Sequence, residues 1–154
     1  MFTAEQHIEQ AQRAIETLQP ELAIKLFERA YSIEPSASTA SAIASLFALS
    51  DQTLARHWFS VAVQTDSSLW IAHLQLAQLA VSEEALHHYS EALRILEPLN
   101  SIAVVNHEYC SCLCALTELY LTDLCFAGDA EAKCEQYMAM VSSSFNLGPL
   151  CYLQ

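Results

Sequence analysis

The chain has 154 residues, of which 53% are apolar and only 16% are charged, and its formal net charge is −12. This is the length of a single domain that can bury its own core. Two glycines leave no glycine-rich phosphate loop. Eighteen acidic residues against six basic ones exclude a nucleic-acid backbone or an anionic membrane surface as a direct partner.

The first twelve residues lack the basic region and apolar stretch of a signal peptide. The most apolar run, 109–127, contains Glu118 and Asp123, each costly at the centre of a bilayer. We therefore expect a buried helix there and no membrane span. All six cysteines lie in the last third of the chain. Without a secretory signal, they are interpreted as reduced thiols of the cytosol or nucleus.

One pattern recurs three times in the first 98 residues: an alanine, three residues, an aromatic residue, two residues, an alanine. The three copies are Ala23–Phe27–Ala30, Ala55–Phe59–Ala62 and Ala85–Tyr89–Ala92. This spacing puts the three side chains on one helix face, where a small–large–small row lets a second helix approach closely. Helix breakers follow each copy, at Pro35, at 66–68 and at Pro98.

A second predicted helix precedes each copy, over 4–18, 38–49 and 69–80. The apolar stripe of the first is expected to consist of Ile8, Ala11, Ile15 and Leu18. Pro20 and the acidic start at 82–84 are favourable helix openings. The unit is helix, short turn, helix with a period of roughly 30 to 34 residues, which indicates a helical solenoid.

The last third departs from this period. Longer helices are predicted over 104–126 and 129–143, with Asp129 as an N-cap, and Ala130, Cys134 and Tyr137 keep the repeat spacing. The apolar residues after 144 offer no polar cap of the kind that ends a solenoid. We therefore expect the chain to continue in a longer protein, to form a homo-oligomer, or to end against a partner.

The copies resemble the tetratricopeptide repeat (TPR), an unrelated helical bundle being the alternative. The first copy carries the resemblance best, through Ala4-Glu5, Ala23-Ile24, Phe27, Ala30-Tyr31 and 33–35. It implies an all-α, TPR-type helical solenoid of about four stacked helix-turn-helix repeats in a right-handed superhelix. The predicted repeats are 1–35, 36–67, 68–98 and an atypical fourth, 99–154.

The runs 115–125, 129–131 and 134–135 resemble the fungal TPR chaperones dedicated to the fourth large-subunit ribosomal protein. This resemblance implies a protein of cytoplasm and nucleus that captures and shields a newly made ribosomal protein. It also implies that the chain is an N-terminal portion or a shortened member. The alternatives are a generic TPR peptide-binding scaffold and a small acidic secretion-type chaperone for an apolar client. Salt dependence of binding separates a basic client from an apolar one.

TPR arrays bind peptides in a groove lined by the first helix of each repeat, and a basic client segment would match acidic side chains there. The predicted client-binding residues are Glu5, Glu9, Gln12, Glu16, Gln75, Gln78, Glu118 and Asp123. For the stripe on the first helix and for the last two acids, an ordinary solvated face is the alternative.

The sequence predicts neither catalysis nor a cofactor, because no nucleophile elbow is present. A structural zinc site needs four ligands, so Cys110, Cys112 and Cys114 are interpreted as small thiols buried between helices. The pair His87-His88 is interpreted as surface residues paired with neighbouring glutamates.

Overall fold

The computed structural model describes residues 1–99, 103–125 and 127–145, and within these ranges the secondary structure is helical with no strand. The helices are α1 (Ala4–Glu16), α2 (Pro20–Ile33), α3 (Ala37–Phe47), α4 (Gln52–Thr65), α5 (Trp70–Leu79), α6 (Ser82–Leu96), α7 (Ala103–Thr122) and α8 (Ala130–Phe145), with a 3₁₀ turn over Glu97–Leu99. The predicted all-α class is confirmed. The repeat boundaries at 35, 67 and 98 stay predictions.

Several helices begin where short polar side chains satisfy the free backbone N–H groups of the first turn. Thr3 and Gln6 form a reciprocal capping box before α1, and Pro20 opens α2 as predicted. The Ser36 hydroxyl and the Asp51 carboxylate accept backbone N–H bonds at the starts of α3 and α4. Because these N–H groups have no intrahelical partner, such caps determine where each helix begins.

The chain divides into two compact units, Met1–Ala72 and His73–Gln154. In the first unit α1 packs on α2, α2 on α3 and α3 on α4. The repeated motif forms the core: Ala23, Phe27 and Ala30 are buried on α2, and the corresponding residues of α4 are fully buried. Small residues at both ends of each aromatic ring allow the neighbouring helix to approach closely.

In the second unit α6 packs on α7 and α7 on α8. Ala85 and Ala92 of the third motif are buried, while Tyr89 between them is half-buried. In the fourth motif Ala130 and Tyr137 are buried. The predicted packing role of the motif is therefore seen in α2, α4, α6 and α8.

The apolar stripe predicted for the first helix is wrong at its C-terminal end. The buried face of α1 consists of Ala4, Ala11 and Ala14, whereas Ile15 is 43% and Leu18 88% exposed. The helix ends at Glu16 instead of continuing to Leu18, so Leu18 no longer follows the helical period. The predicted α3 is also too long, since it ends at Phe47 and leaves Leu49 in solvent.

Candidate functional site

The acidic stripe predicted on the first helix is an exposed face of α1. Glu5, Glu9, Gln12 and Glu16 are all exposed, at steps of four, three and four that keep them on one side of the helix. The Arg13 guanidinium donates to the Glu9 carboxylate at 2.8 Å. Within the described part of the chain, Glu5 and Glu16 take part in no ion pair, so they carry most of the negative potential of this face.

The opposite face of α1 holds the stripe in place. Ala11 and Ala14 belong to a core cluster with Leu26, Phe27 and Ile43. Burial of these side chains prevents α1 from rotating about its axis, because rotation would expose apolar area and leave voids. The exposed edge of Ile15 beside the acidic stripe adds an apolar strip to the same surface.

Helix α5 presents a polar but uncharged surface. Gln78 is exposed and Gln75 half-buried, one turn apart, while Leu76 and Ala77 between them are buried. Side-chain amides both donate and accept hydrogen bonds. This surface can therefore bond peptide backbone but offers no charge to a cationic side chain.

Between residues 106 and 121 of α7, the fully exposed side chains form one narrow stripe. They are His107, Ser111, Cys114, Glu118 and Leu121. They recur at alternating steps of four and three, which is the period of one helix face. The other side chains in this range are buried or half-buried, and α6 and α8 pack against the helix, so Glu118 is an acid on an exposed stripe instead of a buried one.

Glu118 lies close enough to the Tyr89 phenol of α6 to act on its charge state. Burial raises the pKa of Tyr89, and the negative charges of Cys112, when ionised, and Glu118 raise it further. Glu118 is exposed, so its carboxylate can attract a cationic side chain such as Lys or Arg.

Asp123 differs from its prediction. The sequence placed it inside a helix over 104–126, but α7 ends at Thr122. The Asp123 backbone N–H donates to the Leu119 carbonyl at 3.0 Å and the side chain is exposed in the turn. Phe126, the predicted helix end, lies outside the described residues.

The eight predicted residues divide between the two units. The first unit brings Glu5, Glu9, Gln12 and Glu16 onto one face. Gln75, Gln78, Glu118 and Asp123 belong to the second unit, on α5, α7 and the turn after α7. Their role in binding stays a prediction.

A histidine contact escaped the sequence analysis. His73 of α5 is buried, and its Nδ1 lies 3.1 Å from Nδ1 of His88 on α6. On the same face of α6, the Arg94 guanidinium donates to the Glu91 carboxylate and lowers the pKa of Glu91. The signal in the sequence was His73, a histidine at a position that faces a neighbouring helix. Its partner His88 lies fifteen residues further along the chain, and only the packing of α5 beside α6 brings the two rings together.

The cysteines at the described positions 112, 114, 125 and 134 are free thiols. Burial raises the pKa of the Cys112 thiol to about 12, and its Sγ donates to the Tyr89 carbonyl at 3.2 Å. Cys110 is also buried, but Cys114 is exposed, so the prediction of three buried thiols is wrong for Cys114. It lies on the solvent stripe of α7.

The described residues contain no group of three or more His, Cys, Asp or Glu side chains that could hold a metal ion. None of their helices combines the length and the hydropathy needed to cross a bilayer.

The fold is that of an all-α protein of the TPR type, and the solved structures that resemble it include the following three. An assembly chaperone of RpL4 (Acl4, residues 1–338) matches with a TM-score of 0.80 and 19% identity, covering 96% of this chain and 64% of that one. Two structures of MamA match with TM-scores of 0.64 and 0.57, at 12% and 11% identity, covering 93% and 94% of this chain and 78% and 72% of theirs. The chain thus spans less than two thirds of the Acl4 structure. No protein-family model and no curated protein matches the sequence.

Proposed function

We propose that the protein is a chaperone that captures and shields a newly made ribosomal protein, the fourth protein of the large subunit, for delivery to assembling subunits. The observation that carries this proposal is the agreement in fold, over 96% of the chain, with a structure described as an assembly chaperone of RpL4. The sequence runs in 115–125 and 129–135 point to the same class independently. In this proposal the protein acts in cytoplasm and nucleus, without catalysis, cofactor or direct contact with nucleic acid.

The client segment in this proposal is basic. A net charge of −12 raises the encounter rate with a cationic segment and repels acidic competitors. The acidic stripe of α1 and the exposed carboxylate of Glu118 supply local binding groups. The amides of Gln75 and Gln78 bond the client backbone, and Asp123 adds charge at the end of α7.

Removal of charge from the α1 stripe tests this assignment. The double variant Glu5→Gln/Glu16→Gln is expected to weaken binding of a basic client segment about fivefold to tenfold, since exposed ion pairs contribute up to about 1 kcal/mol each. The measurement is titration calorimetry with the fourth large-subunit ribosomal protein or its basic segments, after co-expression and gel filtration establish the complex.

The control is Glu28→Gln/Glu34→Gln, which removes the same net charge from exposed positions on and after α2. Equal weakening by both double variants would mean that only overall charge matters and would remove the stripe from the site. Failure of the ribosomal protein to co-purify, while other clients do, would remove the function itself.

A second candidate function has its own observation. Residues 35–50 and 67–82 contain no Asp, Glu, Lys or Arg, so α3 and α5 each present an uncharged surface of their own, and Ile71 of α5 is exposed. Such a surface suits a TPR peptide-binding scaffold or a small secretion-type chaperone with an apolar client. Affinity that hardly changes with salt would favour this function, whereas affinity that falls steeply with salt favours the basic client.

A further inference from the structure

An open groove of about 360 Å³ lies between α1 and α2 in the first unit. The wall on the α1 side consists of Gln10, Arg13, Ala14 and Thr17, and the wall on the α2 side of Leu22 and Leu26. Leu22 is 45% exposed, whereas Ala14 and Leu26 are buried. The residues of each wall recur at steps of three and four, so each helix contributes one of its sides to the groove.

Three basic side chains lie at this groove. Arg13 belongs to its wall. Lys25 and Arg29 follow Leu22 and Leu26 by three residues each, which places them on the same side of α2, and both are exposed. The whole chain has only six Lys and Arg residues, so half of its basic side chains are gathered here.

The three cations have donors that a partner's carboxylates can use. Arg13 donates to Glu9 at 2.8 Å, and its side chain stays 70% exposed. A guanidinium has five N–H donors, so Arg13 can bond a second carboxylate. Among the residues that the structure describes, Lys25 and Arg29 take part in no ion pair.

The charge at the groove favours an acidic occupant. Its described wall contains no Asp or Glu, and Glu21 and Glu28 lie about 100–120° round α2 from Leu22. A basic segment would meet like charge here, whereas carboxylates would meet three cations. The net charge of −12 opposes an acidic partner at long range, but physiological salt screens exposed charges beyond about 8 Å. The cations at the groove therefore dominate once a partner is in contact.

The apolar side chains along α2 fit a helical occupant. Ile33 is 51% exposed and follows Leu26 by seven residues, which extends the row on the same side of the helix. From Leu22 to Ile33 the row is about 16 Å long, or three helical turns. At the other end, Leu18 is 88% exposed in the turn between the helices. Aliphatic side chains in such a row, with cations beside them, are the counterpart of an amphipathic helix with acidic flanks.

We propose that this α1–α2 groove binds an amphipathic, acidic helix of a partner protein. The aliphatic side chains of the partner cover Leu18 and Leu22, and its carboxylates pair with Arg13, Lys25 and Arg29. The groove is separate from the acidic stripe of α1, which the proposed function assigns to a basic client. Either assignment can therefore fail without the other.

A synthetic helical peptide serves as the probe of this groove. It has about 18 residues, with leucine at positions i, i+3, i+4 and i+7 and glutamate on both flanks, and its counterpart has glutamine in place of every glutamate. Fluorescence anisotropy of the labelled peptides with the full chain gives the two affinities. The glutamate peptide is expected to bind about tenfold more tightly, because up to three ion pairs form in its complex.

Two lysine variants test the contribution of charge. Lys25→Gln removes one positive charge beside the groove, and Lys133→Gln removes one from α8 in the second unit. The first is expected to weaken binding of the glutamate peptide about threefold to fivefold. The second is expected to leave the affinity near that of the wild type, since only overall charge changes.

Two leucine variants test the apolar contact. Leu22 on α2 is 45% exposed and Leu54 on α4 is 39% exposed, so Leu22→Gln and Leu54→Gln are matched in chemistry and exposure. Leu22→Gln is expected to weaken binding of the glutamate peptide about fivefold to tenfold, because its side chain is covered in the complex. Leu54→Gln is expected to have little effect, and far-ultraviolet circular dichroism of both variants verifies that they are folded.

Several results would overturn the proposal. Equal affinity of the glutamate and glutamine peptides, or no binding of either, would mean that the cations do not select the occupant. Equal weakening by Leu22→Gln and Leu54→Gln, or by Lys25→Gln and Lys133→Gln, would place the peptide outside the groove. Sedimentation of the wild type without peptide supplies the last outcome: self-association that Leu22→Gln abolishes would assign the groove to a second copy of the chain.

Discussion

Leu18 has two unfavourable features at once. Its backbone is left-handed, with φ at 57°, and its side chain is 88% exposed. It follows the end of α1, where the Gln19 N–H donates to the Ala14 carbonyl at 2.8 Å and the Leu18 N–H to the Ile15 carbonyl. This hydrogen-bond pattern ends many helices and normally has glycine at the left-handed position, because a Cβ atom is strained there.

Leu18→Gly is therefore expected to stabilise the protein by about 0.5–1 kcal/mol, the relief of Cβ strain exceeding the entropy that glycine adds to the unfolded chain. Leu18→Ala keeps the Cβ atom and is expected to change little, since the leucine side chain makes few contacts. Urea unfolding midpoints of the two variants provide the comparison. A glycine variant less stable than the alanine variant would show that strain is absent.

Cys112 and Cys114 are two residues apart and should differ strongly in reactivity. The thiolate is the reactive form, and burial raises the pKa of Cys112 to about 12, while Cys114 is exposed on α7. The Cys112 thiol is therefore almost entirely protonated at pH 8. Iodoacetamide labelling followed by peptide mapping is expected to modify Cys114 well before Cys112.

In denaturant the two thiols should be labelled at the same rate, because both then have an ordinary thiol pKa and are equally accessible to iodoacetamide. Faster labelling of Cys112 than of Cys114 in the native protein would contradict the burial of Cys112. In Cys114→Ser the total labelling is expected to fall while that of Cys112 stays slow.

At the scale of the helix, capping side chains decide the first residue of a helix where the periodicity of apolar residues does not specify it. Directly before α4, the Asp51 carboxylate accepts from the Thr53 and Leu54 N–H groups at 3.0 and 3.1 Å. C-terminal ends were predicted less well. Helices α1 and α3 end two residues before their predicted ends. The backbone hydrogen bonds of the last turn decide where a helix ends, and the apolar pattern of the sequence does not show them.

Asp51→Ala is expected to destabilise the protein by about 1 kcal/mol, because two N–H groups of α4 lose their acceptor. Asp51→Asn keeps an acceptor oxygen and should retain most of the stability. Thermal unfolding followed by far-ultraviolet circular dichroism gives both values. Equal loss in the two variants would assign the effect to charge at the helix start instead of the hydrogen bonds.

Helix α7 is packed against neighbouring helices on two sides. Its residues are apolar nearly all round, so the sequence predicted a buried helix but could not say which polar residues point outward. Between residues 106 and 121, contacts with α6 and α8 leave one fully exposed stripe, which contains Glu118 and Cys114. The burial predicted for Cys114 is therefore wrong, whereas Glu118 lies on a solvent-facing stripe, which was the alternative to a client contact.

For the molecule as a whole, the tyrosines of the second unit link stability to alkaline pH. Burial is the largest cause of the raised pKa of Tyr89, Tyr109, Tyr120 and Tyr137, and nearby negative charges add to it. A raised pKa means that the folded protein holds the phenolic proton more tightly than the unfolded chain. The associated stability is present below pH 10 and is lost as the pH rises through the folded values.

Urea unfolding between pH 9 and 11.5 is therefore expected to show falling stability above about pH 10. Tyr89→Phe removes one ionisable phenol and should make this fall less steep. A stability that stays level to pH 11.5 would contradict the burial of these side chains. Cleavage or oxidation is monitored by mass spectrometry at each pH.

The amino-acid sequence by itself determined the fold class and the packing residues, because the alanine–aromatic–alanine spacing requires helices whose small faces meet. It also determined that Glu5, Glu9, Gln12 and Glu16 share one side of α1, since helical period alone relates them. Only the tertiary structure decided the contacts between helices, such as His73 against His88 and the Cys112 thiol against the Tyr89 carbonyl. These contacts depend on the rotation of each helix about its axis and on the residue at which it ends. The packing of neighbouring side chains, through many weak contacts, sets the rotation and the end of each helix.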